Sequence, residues 1–227
     1  MLNKQLSVAL IPARGGSKRL PDKNIIDLNG KPLLAYSIDF ALNSSVIDEV
    51  WVSTDSQEIA DTAKTYGAKV LRRPDKLAGD YTPTSEVVKY HAEKFHDGEK
   101  PVEWIFLLQP TNPLRPNQLA SAAFNMLTRE EKKALACFSP LDKKFGKIKD
   151  HTFYPENYSF GQRSQDIEKR YYENGLLYIV NIELAKRGEL FPADLFPYVV
   201  KSIHGTVDID DKEDLEYTKI ILEFLKK

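Results

Sequence analysis

Short apolar runs alternate with longer amphipathic stretches along most of this chain, and few architectures accept that rhythm. SVALI precedes PLLAYSIDFAL, VWVST precedes EIADTAKTYG, and KVLR precedes TSEVVKYHAEKF. The strand WIFLL, the helix NQLASAAFNML and the strand ALACF continue the series. Apolar runs of this length suit strands buried on both faces, while the intervening stretches carry the helical period needed to cover those faces. The alternation predicts βαβ units and an α/β fold built on a mostly parallel sheet.

The rhythm breaks between Ser139 and Tyr172, a polar and aromatic segment with no helical period that carries Lys143, Lys144, Lys147, Lys149, Tyr154, Tyr158 and Arg163. It reads as an excursion, so residues 1–138 and 173–227 form the expected core and residues 139–172 an extension. Regularity returns with the strand GLLYIV, a short helix near Ile182 to Arg187, the strand YVVKSI and an amphipathic helix within Lys212 to Leu225.

Bulk properties exclude several classes. Lys and Arg total 32 against 33 Asp and Glu, so no charge excess points to nucleic acid or to an anionic membrane surface. No apolar run approaches the roughly 18 residues of a membrane-spanning helix. LSVALIPA, followed at once by the basic RGGSKR, reads as a buried strand rather than a signal peptide. The single cysteine, Cys137, sits in the apolar ALACF as a small core residue, and a reducing, cytoplasmic location is expected.

In open α/β sheets ligands bind outside the carboxyl ends of the strands, which directs attention to Pro12–Asn24, Ser53–Asp55, Gln109–Arg115 and Gly205–Asp210. IPARGGSKRLPDKN follows the first strand. Gly15 and Gly16 allow close backbone approach, so main-chain N–H groups can turn toward an anion. Arg14, Lys18, Arg19 and Lys23 place four positive charges within ten residues. The segment holds neither the spacing of a Walker A loop nor that of a dinucleotide fingerprint, and a solvated loop is its plainer reading.

VDIDDKED supplies the opposite charge. On an extended backbone Asp208 and Asp210 point to one side, a pair suited to Mg²⁺, which is held by one or two carboxylates together with substrate phosphates. Asp211, Glu213 and Asp214 suit the first turn of the helix that follows. In LLQPTNPLR, two prolines stiffen a turn that presents Gln109. The four histidines, His91, His96, His151 and His204, show no metal-ligand spacing and receive no role.

Together IPARGGSKRLPDKN, VSTD, LLQPTNPLR, ENGLLYI and VDIDDKEDL, in this order, resemble the CMP-sialic acid synthetases (acylneuraminate cytidylyltransferases) from about Ser7 to Leu225. The resemblance implies a Rossmann-like, three-layer nucleotidyltransferase fold that joins CTP to a nine-carbon sugar acid and releases pyrophosphate. It implies a nucleotide site at Arg14, Gly15, Gly16, Lys18, Lys23, Asn24 and Thr84, with Ser85 as an alternative to Thr84. Asp208 and Asp210 become the Mg²⁺ ligands and, with Arg14 and Lys18, the catalytic set. Gln109, Lys147, Arg163, Tyr178 and Phe191 become sugar contacts, and the excursion becomes the arm of a homodimer with shared active sites.

The sugar acid can be of sialic, legionaminic or pseudaminic type. The alternatives are activation of another sugar acid such as Kdo, a glycosyltransferase using Asp208-Ile209-Asp210 as a D-x-D metal site, and a silent binding module. The basic first loop argues against the glycosyltransferase, and no side chain stands out as a general base.

Overall fold

A computed structural model describes residues 6–96 and 101–226. The first half runs β1 (Leu6–Pro12), β2 (Asp27–Leu28), β3 (Lys31–Pro32), α1 (Leu33–Leu42), β4 (Glu49–Thr54), α2 (Gln57–Thr65), β5 (Lys69–Arg72) and α3 (Thr84–His96). The second runs β6 (Val102–Leu107), α4 (Leu119–Arg129), β7 (Ala134–Pro140), β8 (Gly146–Lys149), β9 (Thr152–Pro155), β10 (Tyr171–Asn181), α5 (Ile182–Lys186), β11 (Phe196–Val199) and α6 (Lys212–Leu225). The predicted strands and helices appear where the apolar rhythm placed them. YVVKSI is the exception, because strand pairing stops at Val199 and Ile203–Thr206 forms a short 3-10 turn.

Seven strands form one sheet in the order β11, β7, β10, β6, β1, β4, β5. All neighbours are parallel except β10, which runs antiparallel to both β6 and β7. Side chains alternate across the sheet as the strand period requires. Ala9 and Ile11 of β1 enter one core with Leu34, Ile38 and Leu127. Val8 and Leu10 enter the other with Val88 and Ala92. Burying a side chain such as Leu10 or Phe106 fully is worth about 1.5–3 kcal/mol, so these two apolar layers hold the helices on the sheet.

From β1 the chain first builds outward through β4 and β5, then returns to place β6 on the other side of β1. The order reverses there, which opens a crevice at the carboxyl ends of β1 and β6. The basic loop leaves β1 into that crevice and the LLQPTNPLR turn leaves β6 into it. Among the described residues no helix is long and apolar enough to cross a membrane.

The excursion is an insertion between β7 and β10. Its outermost residues belong to the sheet, since Ser139 pairs with Tyr172 and Pro140 with Tyr171, so the projecting part is shorter than residues 139–172. It carries the antiparallel β8–β9 hairpin. Phe153, Tyr158 and Phe160 cluster with ring centroids 6.0 to 6.5 Å apart, yet Ile148 remains 78% and Phe160 73% exposed.

Candidate active site

The crevice holds three cavities with one residue in common. The first, about 430 Å³, is lined by the basic loop, Arg73, Thr84, Gln109 and Asp210. The second, about 310 Å³, contains Gln109, Glu173, Tyr178 and Asp208. The third, about 530 Å³, contains Thr84, Gln109, Glu173, Tyr178 and Phe191. Gln109 is the hinge of the arrangement because it follows β6, the strand at the topological reversal.

In the first cavity two aspartates hold the loop's four cations. Arg14 pairs with Asp80 at 2.7 Å and Lys18 pairs with the other oxygen of Asp80. Arg19 and Lys23 reach Asp210 at 2.6 and 2.9 Å. Hydrogen bonds from Lys18 and Arg14 hold the exposed Asp80 carboxyl below the usual range. Asp80 therefore stands where a polyanion could compete for Arg14 and Lys18. Asn24 is buried and donates to the Arg14 carbonyl at 2.9 Å, which fixes the loop's path beneath the guanidinium.

Gly15 differs from expectation. Its N–H donates to Asp55 Oδ1 at 2.9 Å instead of turning into the cavity, and a Cβ there would meet Ser56 Cβ at 3.2 Å. The small residue lets the loop pack against the start of α2, so positive charge at this end comes from side chains. Gly16 adopts φ of +64° and supplies the left-handed turn that a Cβ would disfavour.

Sequence reasoning missed Arg73. Only 7% exposed, it lines the first cavity and donates to Ser53 Oγ at 3.1 Å and to the Ser53 carbonyl at 3.0 Å. Burial pushes its guanidinium down to about 10, opposed by the nearby Asp55 charge. His91 Nε2 shares the Ser53 hydroxyl at 2.7 Å, and burial, with Arg73 and Lys94 nearby, pushes the imidazole down to about 3. The signal was present in VSTD followed by RRP, but no spacing rule converts it into a buried network.

The acidic pair lies as the extended pattern required. Val207 and Ile209 are buried, Asp208 and Asp210 face outward, and the Ile209 N–H bonds the Thr111 carbonyl at 2.8 Å. Burial, with the neighbouring Asp210 charge, raises the Asp208 carboxyl against a hydrogen bond from Thr111. Burial also acts upward on Asp210, but bonds and charge from Lys23 and Arg19 carry it below the usual range. Asp211 caps α6 and forms a capping box with Asp214. Among the described residues no cluster of three or more His, Cys, Asp or Glu could hold a metal. A divalent ion here would rest on Asp208, Asp210 and substrate oxygens, a donor set that suits Mg²⁺.

At the other end Tyr178 packs edge-on against Phe191, ring centroids 5.7 Å apart, and its hydroxyl donates to Glu173 Oε1 at 2.5 Å. Burial, then the bond to Glu173, raises the phenol. Lys147 and Arg163 line none of these three cavities. Both sit on the excursion, with Lys147 paired to Glu156 at 2.6 Å and Arg163 to Asp166 at 2.7 Å.

Comparison with known proteins places this geometry in context. A family model described as cytidylyltransferase matches residues 8–225. A pseudaminic acid cytidylyltransferase of Campylobacter jejuni is 33% identical over 221 residues, covering 95% of each chain. A CMP-N,N'-diacetyllegionaminic acid synthase of Legionella pneumophila is 33% identical over 223 residues, 95% of this chain and 96% of that one. An N-acylneuraminate cytidylyltransferase of Escherichia coli is 33% identical over 92% of this chain, which spans 50% of that longer protein. Among solved structures, a CMP:2-keto-3-deoxy-manno-octonic acid synthetase complexed with CTP superposes with a TM-score of 0.73 over 96% of this chain and 99% of that one, at 16% identity. That likeness bears on the fold alone.

Proposed function

The chain belongs to the cytidylyltransferase family, and from that premise we propose that it joins CTP to a nine-carbon sugar acid of sialic, legionaminic or pseudaminic type, giving the CMP-sugar and pyrophosphate. The observation that carries this reading is the position of Gln109, which lines both the cationic cavity and the two beyond it. One end suits a triphosphate, the other suits a polar substrate with apolar portions, and Gln109 lines all three cavities.

In the reaction the anomeric hydroxyl oxygen of the sugar acid bonds to the α-phosphorus of CTP and gives up its proton to water, the bond from that phosphorus to the bridging oxygen breaks, and pyrophosphate leaves with that electron pair. Negative charge on phosphate is the obstacle, and fixed cations are the most effective answer to it. Arg14, Lys18 and Lys23 exchange their aspartate partners for phosphate oxygens. Arg73, a buried donor at the wall of the same cavity, suits acceptor atoms of the nucleotide. Gln109 orients the sugar, with Tyr178 and Phe191 as its aromatic wall. Mg²⁺ held by Asp208 and Asp210 would supply further positive charge to the phosphates.

The excursion completes the proposal. Ile148, Phe153, Tyr154 and Phe160 leave apolar surface open, which a second copy of the chain would cover. Arg163, whose planar fork matches a carboxylate, and Lys147 would then serve the partner's sugar site. The buried free Cys137 and the proposed nucleotide substrate support a cytoplasmic location.

Pyrophosphate release tests the reaction. CTP plus a nine-carbon sugar acid and Mg²⁺ should yield pyrophosphate and CMP-sugar in equal amounts. A D-x-D glycosyltransferase would yield no pyrophosphate, and that result would reject the proposal.

A further inference from the structure

Glu173 stands beside the residues already considered, and the backbone goes out of its way to present it. On a regular strand, side chains five positions apart project from opposite faces, so Glu173 and Tyr178 of β10 should not meet. The register between β10 and β7 breaks between these two residues, and Gly175 inside the break has φ of +70°. This is a bulge, a device that re-aims side chains beside functional sites. Leu176 and Leu177, although adjacent, consequently enter the same core. Glu173 arrives on the face of Tyr178, where the phenol hydroxyl fixes one carboxylate oxygen.

Its surroundings distinguish it from an ordinary surface acid. Glu173 lines the two cavities that share Gln109 but contain none of the basic loop. Glu189, the other glutamate of the larger of these cavities, is paired with Arg187 at 3.0 Å. Among the described residues no cation pairs with Glu173. A clamped, exposed carboxylate without a counter-ion is an acceptor waiting for a donor.

Resting on the sugar-acid reading above, we propose that Glu173 is a specificity-determining residue. Its carboxylate accepts a hydrogen bond from a hydroxyl or acylamino N–H on the body of the sugar acid. Its charge also turns the substrate's own carboxylate away from this end of the cleft, because two like charges at close range oppose each other. One side chain thereby sets both which substituent is read and which way round the sugar lies.

The test is steady-state kinetics of the full chain with CTP, Mg²⁺ and a nine-carbon sugar acid, comparing wild type with Glu173→Ala and Glu173→Gln. Gln keeps an acceptor for Tyr178 and serves as the fold control. Loss of a hydrogen bond to a charged group predicts a rise of about tenfold or more in sugar KM for Glu173→Ala, with a smaller rise for Glu173→Gln. The KM for CTP should stay at the wild-type value in both variants and the melting temperature at the wild-type value in Glu173→Gln, while Glu173→Ala also strips the Tyr178 hydroxyl of its acceptor and melts lower. In a set of analogues each lacking one donor, the analogue missing the donor read by Glu173 should bind wild type weakly and show no further loss in Glu173→Ala. An unchanged sugar KM in both variants, or an equal penalty for every analogue, would overturn the assignment. Wild type inactive on every sugar acid would instead remove the reading on which it rests.

Discussion

Arg115 donates from its guanidinium to the main-chain carbonyl of Gln109 at 2.8 Å. It is 6% exposed and also donates to the Leu176 carbonyl at 2.6 Å and to Ser37 Oγ at 2.9 Å. Among the described residues no carboxylate pairs with it, and burial pushes the guanidinium down to about 9. Neutral dipoles and the Phe40 ring, 5.5 Å from the guanidinium carbon, carry that charge and tie the Gln109 turn to β10 and α1. Arg115→Met should cost about 3 kcal/mol in urea denaturation, since it leaves two buried acceptors and a partly buried one without their donor. It should also raise the KM for the sugar more than that for CTP.

Gly175 is the second support of Gln109. A Cβ there would lie 2.9 Å from Gln109 Oε1 and closer still to Asn112 Oδ1, at a positive φ that L side chains rarely adopt. Asn112 in turn donates to the carbonyls of Asn174 and Val207 at 3.1 and 2.8 Å, linking the bulge to the segment that bears Asp208. Gly175→Ala should therefore destabilise the fold by about 2 kcal/mol or more and lower kcat/KM with either substrate varied, as measured by calorimetry and pyrophosphate release.

His91 makes stability depend on acid. Its ordinary value is 6.5 and the folded value about 3, so between these limits the unfolded chain binds the extra proton. The contribution is complete above 6.5 and is lost as pH falls toward 3, at up to about 1.4 kcal/mol per pH unit. Denaturation series from neutral pH downward should show that slope in wild type and a shallower one in His91→Gln.

The acidic pair and the excursion can be tested together. Asp208→Asn and Asp210→Asn should each keep the fold and lower turnover by at least about tenfold, on the order of 1.4 kcal/mol. Arg163→Ala should be weak for a different reason, if Arg163 serves the partner's site. Mixed Arg163→Ala and Asp208→Asn chains should then recover activity, because the heterodimer contains one site free of both substitutions. Heterodimers confirmed by mass but without recovery would assign Arg163 to its own chain.

The sheet was legible because parallel strands buried on both faces leave continuous apolar runs, and SVALI, WIFLL and ALACF are such runs. The crevice was legible from the strand ends, and Asp208 and Asp210 from simple alternation. Other features depend on long-range placement. Arg73 looks like one of two arginines at a strand end until the fold buries it against Ser53 and His91. Glu173 faces the cleft only because a bulge shifts the register after it, and no periodicity in ENGLLYI announces that shift. The Gly15 N–H could not be assigned to Asp55 before β4 was known to lie beside β1.

The most direct measurement is a substrate panel at fixed CTP and Mg²⁺, scoring pyrophosphate release for sialic, legionaminic, pseudaminic and eight-carbon Kdo acids. The arrangement around Gln109 predicts a clear preference in kcat/KM for one of the nine-carbon acids. A preference for Kdo, or no release with any of the four, would contradict it.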